Sequence, residues 1–137
     1  MADVEFLRFK KLLKDSGHFV TAPRMRMFGL LQHHPALTLK ELITLVKKHD
    51  QTTVYRNMDL FERLGIINRL RFGWHTKIEL SDIFQHHHHH MTCVNCGKVW
   101  TLKEDELIEK QITKLVQKKN FVAKDHQLEI RGICKNC

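Results

Sequence analysis

His86-His87-His88-His89-His90-Met91-Thr92-Cys93-Val94-Asn95-Cys96 places five consecutive imidazoles beside a C-x-x-C pair. About forty residues later Cys134-Lys135-Asn136-Cys137 repeats the C-x-x-C spacing, and these four are the whole cysteine inventory. A C-x-x-C turn presents two thiolates to one tetrahedral ion, and two such turns close the Cys₄ shell of a structural Zn²⁺. Disulfides or a thioredoxin-like redox pair are the competing readings; the paired spacing favours zinc. A closed shell has no open position, so Cys93, Cys96, Cys134 and Cys137 are expected to hold structure together and not to perform chemistry. Gly97 follows the first knuckle and can take the positive φ that lets backbone amides approach the sulfurs.

The histidine run itself reads as part of a strand over residues 85–94. Side chains alternate faces along a strand. His86, His88 and His90 then project one way, and His87 and His89 the other. One strand can therefore feed two separate metal sites. Imidazoles suit Fe²⁺, Zn²⁺, Mn²⁺ or Ni²⁺, and carboxylates complete the shell. A polar loop without ligands is the bland alternative, disfavoured by five histidines next to a metal knuckle. Beyond the block, residues 98–102 read as a strand and 104–119 as an amphipathic helix. That helix has Leu107, Ile108, Ile112, Leu115 and Val116 on its inner side. A last strand over 121–133 carries His126 and delivers Cys134 and Cys137.

Upstream the pattern is helical until residues 71–74. Residues 4–16 form a first helix with Phe6, Phe9, Leu12 and Leu13 on one stripe. Thr21 can cap a second helix, with Pro23 in its first turn and Pro35 closing it. Thr38-Leu39-Lys40-Glu41 is a capping box opening a third. A fourth spans 52–64 and stops at Gly65. Two strands, 66–70 and 76–80, meet at Phe72-Gly73-Trp74-His75. Helix, turn, helix and β-hairpin make a winged helix-turn-helix. The fold class is α+β: a DNA-binding winged domain over residues 1–80, then a small α/β metal domain over 81–137.

The fourth helix opens with Thr52-Thr53-Val54-Tyr55-Arg56-Asn57. Recognition helices use their N-terminal residues on base edges. Arg suits guanine or phosphate, Asn suits adenine, and Tyr can touch phosphate or a thymine methyl. A solvated helix start capped by Thr is the plain alternative. The net charge of +8, from 23 Lys+Arg against 15 Asp+Glu, favours a polyanionic partner. No apolar run approaches membrane-spanning length and the N-terminus lacks a signal-peptide pattern. Reduced, metal-bound cysteines point to the cytoplasm.

Pro23-Arg24, Thr53-Val54-Tyr55-Arg56, the histidine block, Cys93-x-x-Cys96-Gly97-Lys98 and the closing Cys-x-x-Cys occur together and in order. In this the chain resembles the ferric uptake regulator family over nearly its whole length. The resemblance implies a homodimeric, metal-dependent repressor of metal-homeostasis or peroxide-stress genes that binds double-stranded operator DNA. It implies an N-terminal winged helix on DNA and a C-terminal domain that dimerises. It gives Tyr55 and Arg56 as the DNA-contacting pair and brings Arg24 into the same motif set. For the family's hinge sensor site it matches Glu79, His88 and His90. For the second site it matches His87, His89 and His126. The chain also departs from the family. The sensor histidine of the DNA-binding domain falls near Ala36, with His33 and His34 as substitutes. An acid that some members place after the second knuckle cysteine falls near Thr101. The helical acid of the second site falls near Ile108, leaving Glu109 as the candidate. A basic residue used in the minor groove falls at Phe19.

Two other classes fit parts of the chain. A zinc hydrolase or deaminase needs an open metal position and an adjacent general acid/base, but the chain has no H-x-E or H-E-x-x-H. A metal-storage or metal-chaperone protein could use the histidine block, but would have no use for the winged module.

Overall fold

The computed structural model describes residues 3–34, 36–47, 49–72 and 75–137. Met1, Ala2, Pro35, Gly73 and Trp74, to which the sequence assigns the chain start, a helix end and the wing turn, lie outside the described residues. The chain forms two compact units, Met1–Gln85 and His86–Cys137. Phe84 belongs to the first: it is buried and stands edge-on to Phe28, 5.0 Å between ring centroids.

The first unit begins with α1 (Val4–Asp15) and α2 (Ala22–His33). Asp3 caps α1 by accepting from the Glu5 N–H. Thr21 occupies the N-cap position of α2, but its hydroxyl makes no capping bond. Pro23 in the first turn, with its pre-set φ, defines that start instead. A two-residue strand, β1 (Leu37–Thr38), precedes α3 (Leu39–Val46). Thr38 and Glu41 complete both arms of the capping box, at 3.1 and 2.7 Å. Arg26 of α2 donates to the Leu45 and Val46 carbonyls, closing the other end of α3.

Next come α4 (Gln51–Arg63), β2 (Ile67–Phe72) and β3 (His75–Leu80). Gly65, at φ +70°, takes the left-handed conformation that turns the chain from α4 into the wing. The sheet runs β1-β3-β2, antiparallel throughout, with Leu37 opposite Ile78 and Ile67 opposite Leu80. Phe9, Phe28 and Phe61 centre a core shared by α1, α2 and α4; Phe9 and Phe28 stack at 4.2 Å. Leu42 and Val46 of α3 and Ile78 of the wing close it. Each such side chain contributes about 1.5–3 kcal/mol by leaving water. The helix-turn-helix and wing are thus one packed body.

The second unit has β4 (His88–Cys93), β5 (Val99–Lys103), α5 (Glu106–Gln117) and β6 (Glu129–Gly132). The sheet order is β5-β4-β6, with β4 antiparallel to β5 and parallel to β6. Two expected strands are shorter than their patterns. His86 and His87 precede β4, and residues 121–128 are irregular because ladder pairing starts only at Glu129, opposite His90. The expected inner stripe of α5 holds only in part: Ile112 and Val116 are half-buried, whereas Leu107 is 73% and Leu115 62% exposed, and α5 has no fully buried residue. Phe121, Val122, Ile130 and Ile133 are exposed as well.

Candidate metal centres and nucleic-acid face

The four cysteines converge. Cys93 leaves the end of β4, Cys96 closes the knuckle turn, and Cys134 and Cys137 follow β6. Gly97 takes φ +74° and its N–H donates to the Cys93 carbonyl. Sulfur separations are 3.8 Å for Cys93–Cys137, 3.9 Å for Cys96–Cys134 and 3.5 Å for Cys134–Cys137. A disulfide needs about 2.05 Å. Tetrahedral zinc with Zn–S near 2.3 Å puts sulfurs roughly 3.8 Å apart. The donor set and its spacing therefore fit zinc. The Cys134 N–H donates to the Cys93 sulfur at 3.3 Å. That bond, with amides from Cys96 and Asn95, lowers the Cys93 thiol to about 6, so it is a thiolate at neutral pH. Cys137 is pushed up to about 12 by the Cys134 and Cys93 sulfurs. A cation among the four would remove that mutual repulsion.

A second cluster joins His87, His89, Glu109 and His126, with one ligand atom from each lying within 4.8 Å of the others. Glu109 Oε1 lies 2.6 Å from His89 Nε2 and 3.4 Å from His87 Nε2; Glu109 Oε2 lies 2.9 Å from His126 Nε2. His87 and His126 Nε2 are 3.0 Å apart. Three Nε2 atoms and a carboxylate thus point at one centre, close to the edge lengths of roughly 3.3 Å around a nitrogen- and oxygen-ligated tetrahedral ion. Burial pushes the Glu109 carboxyl up. The His89 hydrogen bond and the His126 and His87 charges outweigh it, and the net shift is downward. Glu109, the candidate acid, is the carboxylate of this cluster; Ile108, near which the resemblance placed an acid, is an exposed residue of the same helix. Sequence alone could not choose between adjacent helical positions, because one residue turns the side chain by about 100°.

On β4 the alternation of faces holds. His88 and His90 stand together with ring centroids 4.7 Å apart, opposite to the His87–His89 pair. His88 Nδ1 donates to the His86 carbonyl at 2.9 Å, which leaves Nε2 as the acceptor nitrogen of the neutral ring. His86 itself is exposed and supplies only backbone there. His90 is 3% exposed. In the first unit Glu79 is buried on β3, opposite Asn68 in the ladder.

The start of α4 presents Thr52, Tyr55 and Arg56 to solvent, with Thr53 half-buried. Asp50 caps the helix by accepting from the Thr53 N–H at 2.7 Å, and that bond holds its carboxyl below the usual range. Asn57 is different from its neighbours. It is 6% exposed and turned inward, and its Oδ1 accepts from Arg24 Nε at 3.0 Å. This corrects its reading as a base reader: a side chain facing the core cannot reach a base edge. Arg24 Nη1 also donates to the Phe19 carbonyl at 2.7 Å. Asn57 and Phe19 together fix Arg24 beside the start of α4. Phe19 is 84% exposed on that turn.

Residues 15–131 match the model of the ferric uptake regulator family. The ferric uptake regulation protein of Legionella pneumophila is 36% identical over 132 residues, covering 91% of this chain and 95% of that protein. Among solved structures, the Vibrio cholerae ferric uptake regulator superposes with a TM-score of 0.73 at 33% identity, covering 91% of this chain and 98% of the other. The Pseudomonas aeruginosa regulator, determined with manganese, gives 0.78 at 28% identity, covering 93% and 98%.

Proposed function

The chain belongs to the ferric uptake regulator family, and from that membership we propose how its residues divide the work of a metal-responsive DNA-binding regulator. The protein is a homodimeric transcriptional regulator of duplex operators, not an enzyme. Its metals are a structural zinc and a regulatory divalent ion. Fe²⁺, Zn²⁺, Mn²⁺ and Ni²⁺ all suit the imidazole-rich sets, and the Pseudomonas aeruginosa relative holds manganese. Among the described residues no helix is long and apolar enough to cross a membrane. We infer the cytoplasm as its compartment from four cysteines kept free for metal.

One observation carries the residue assignment: exposed Tyr55 and Arg56 open a helix of the winged unit, while in the other unit four cysteines converge and the histidines of the central strand divide between two faces, one of them joined by Glu109 and His126. Cys93, Cys96, Cys134 and Cys137 take zinc. The bound ion supplies folding free energy. Tyr55, Arg56, Thr52 and Thr53 face DNA, with Arg24 beside them. A twofold dimer presents two such helices, which suits a pseudo-palindromic site. His88 and His90, with Glu79 as the acid expected from the resemblance, form the sensor set. His87, His89, Glu109 and His126 form the second site. The exposed apolar stripe of α5 supports its place in the dimer interface.

The test is operator affinity with and without the activating metal, for the parent and two double variants. His88→Ala/His90→Ala should abolish a metal dependence of about 5- to 150-fold while leaving the zinc in place. If only His87→Ala/His89→Ala does so, the sensor is the Glu109 cluster. If neither does, the histidine block is not the switch. Arg56→Ala should cost about 1–3 kcal/mol of operator binding and relax specificity. Undiminished binding would remove Arg56 from the reading surface.

A further inference from the structure

The arginines of the winged unit differ in what answers their charge. Arg69 meets two carboxylates, Asp59 at 3.0 Å and Glu62 at 2.7 Å. Arg8 meets Glu5 at 3.3 Å. Arg24 is half-buried in the first turn of α2, and both acceptors that hold it are neutral. Its Nε donates to Asn57 Oδ1 at 3.0 Å and its Nη1 to the Phe19 carbonyl at 2.7 Å. These bonds fix the guanidinium without cancelling its charge, and they leave Nη2 for a further acceptor. Asn57 is 6% exposed and points inward from the same helix that presents Tyr55 and Arg56 to solvent. A buried amide is costly unless it is hydrogen-bonded, and Arg24 supplies the bond. One side chain thus ties the turn before α2, α2 itself and α4 together. A fixed guanidinium with an open edge and no counter-ion suits an oxyanion, and on a winged unit the oxyanion at hand is a DNA phosphate.

We infer that Asn57 is a positioning residue that holds Arg24 as a clamp on a DNA phosphate beside the start of α4. The inference rests on the assignment of Tyr55 and Arg56 to DNA. Arg24 is tethered at Nε and Nη1, so it cannot extend into a groove as exposed Arg56 can; its contact is with the backbone. Phosphate contacts carry no sequence information directly but fix the register of a recognition helix on the duplex. Asn57 makes that register a property of the fold, because the amide that orients the clamp belongs to the recognition helix itself.

The experiment uses the Mn²⁺-loaded dimer and a duplex selected from a random pool by the parent protein, with a scrambled duplex as control. Affinity is measured across roughly 50 to 200 mM salt. Arg24→Gln should weaken binding to both duplexes alike. It should make the slope of log affinity against log salt shallower by about 0.9 per phosphate contact, hence about 1.8 for a dimer. Arg24→Lys keeps the charge and should hold the parent slope. Asn57→Ala should weaken binding roughly 2- to 10-fold in the parent and add nothing to Arg24→Gln, because the two act as one coupled pair. A parent slope in Arg24→Gln, or an Arg24→Lys slope as shallow as that of Arg24→Gln, would overturn the phosphate clamp. An equal loss from Asn57→Ala with and without Arg24 would make Asn57 a folding residue and overturn its positioning role. In either case Arg56→Ala would still weaken binding. Undiminished binding in Arg56→Ala would instead overturn the DNA-facing reading of α4, and this inference with it.

Discussion

Among the described residues, every buried apolar side chain except Cys93 lies between Phe9 and Phe84, in the first unit. The second unit buries His89, His90 and Thr92 and leaves Leu107, Leu115, Phe121 and Val122 open. The first unit has four helices around stacked and edge-on phenylalanines, so burial alone can stabilise it. The second has 52 residues, below the size at which an apolar core usually suffices. Its cohesion must come from ions and from a second copy of the chain. The division has a functional consequence. A reading head that folds without metal can be kept ready, while a unit whose folding depends on ions makes the dimer respond to them.

The sharpest way to break the contrast is to remove the zinc. Cys93→Ser/Cys96→Ser should unfold the second unit and dissociate the dimer, a loss on the order of 10 kcal/mol. The first unit should still melt cooperatively by calorimetry. A zinc-free variant that stays dimeric and equally heat-stable would show that the second unit has a core of its own. The converse is Phe61→Ala, which should cost the first unit about 3–5 kcal/mol through its cavity. Zinc content should not change; if it fell, the two units would not be independent in stability. A smaller effect is expected from Leu115→Asp on the exposed stripe of α5. Sedimentation should show the dimer dissociation constant raised about tenfold, the equivalent of roughly 1.4 kcal/mol. A variant as dimeric as the parent would place the interface elsewhere.

The smallest effect concerns the cap of α4. Asp50 has a lowered carboxyl pKa, chiefly through the Thr53 N–H. A depressed acid stabilises above its unfolded value of 3.8 and loses that contribution as pH falls through its lower folded value. The parent should therefore melt above Asp50→Ala at pH 7, and the gap should close as pH drops below 3.8. A gap independent of pH would mean that packing, and not the charge, makes the cap.

How much of this was legible beforehand varies with the range of the interaction. Thr38-Leu39-Lys40-Glu41 states its capping box locally, and the structure makes both bonds. The C-x-x-C pairs state their own turn geometry, and the strand period of two separates His87 and His89 from His88 and His90 without any tertiary knowledge. Other features depend on what lies across a sheet or helix. β1 is too short to show a period, and only pairing with β3 makes it a strand. Asn57 looks like a base reader in a list of polar residues, but the helix rotates it onto the core, where Arg24 meets it. Glu109 and Ile108 are neighbours in sequence that point in different directions, and only the arrival of His89 and His126 selects the acid. The sequence by itself determined the winged module, the two C-x-x-C knuckles and the two-faced histidine strand, because each is written in spacings of a few residues. Only the tertiary structure decided which acid joins His87 and His89 and which polar residue turns inward, because helix rotation and register are set by packing between elements distant along the chain.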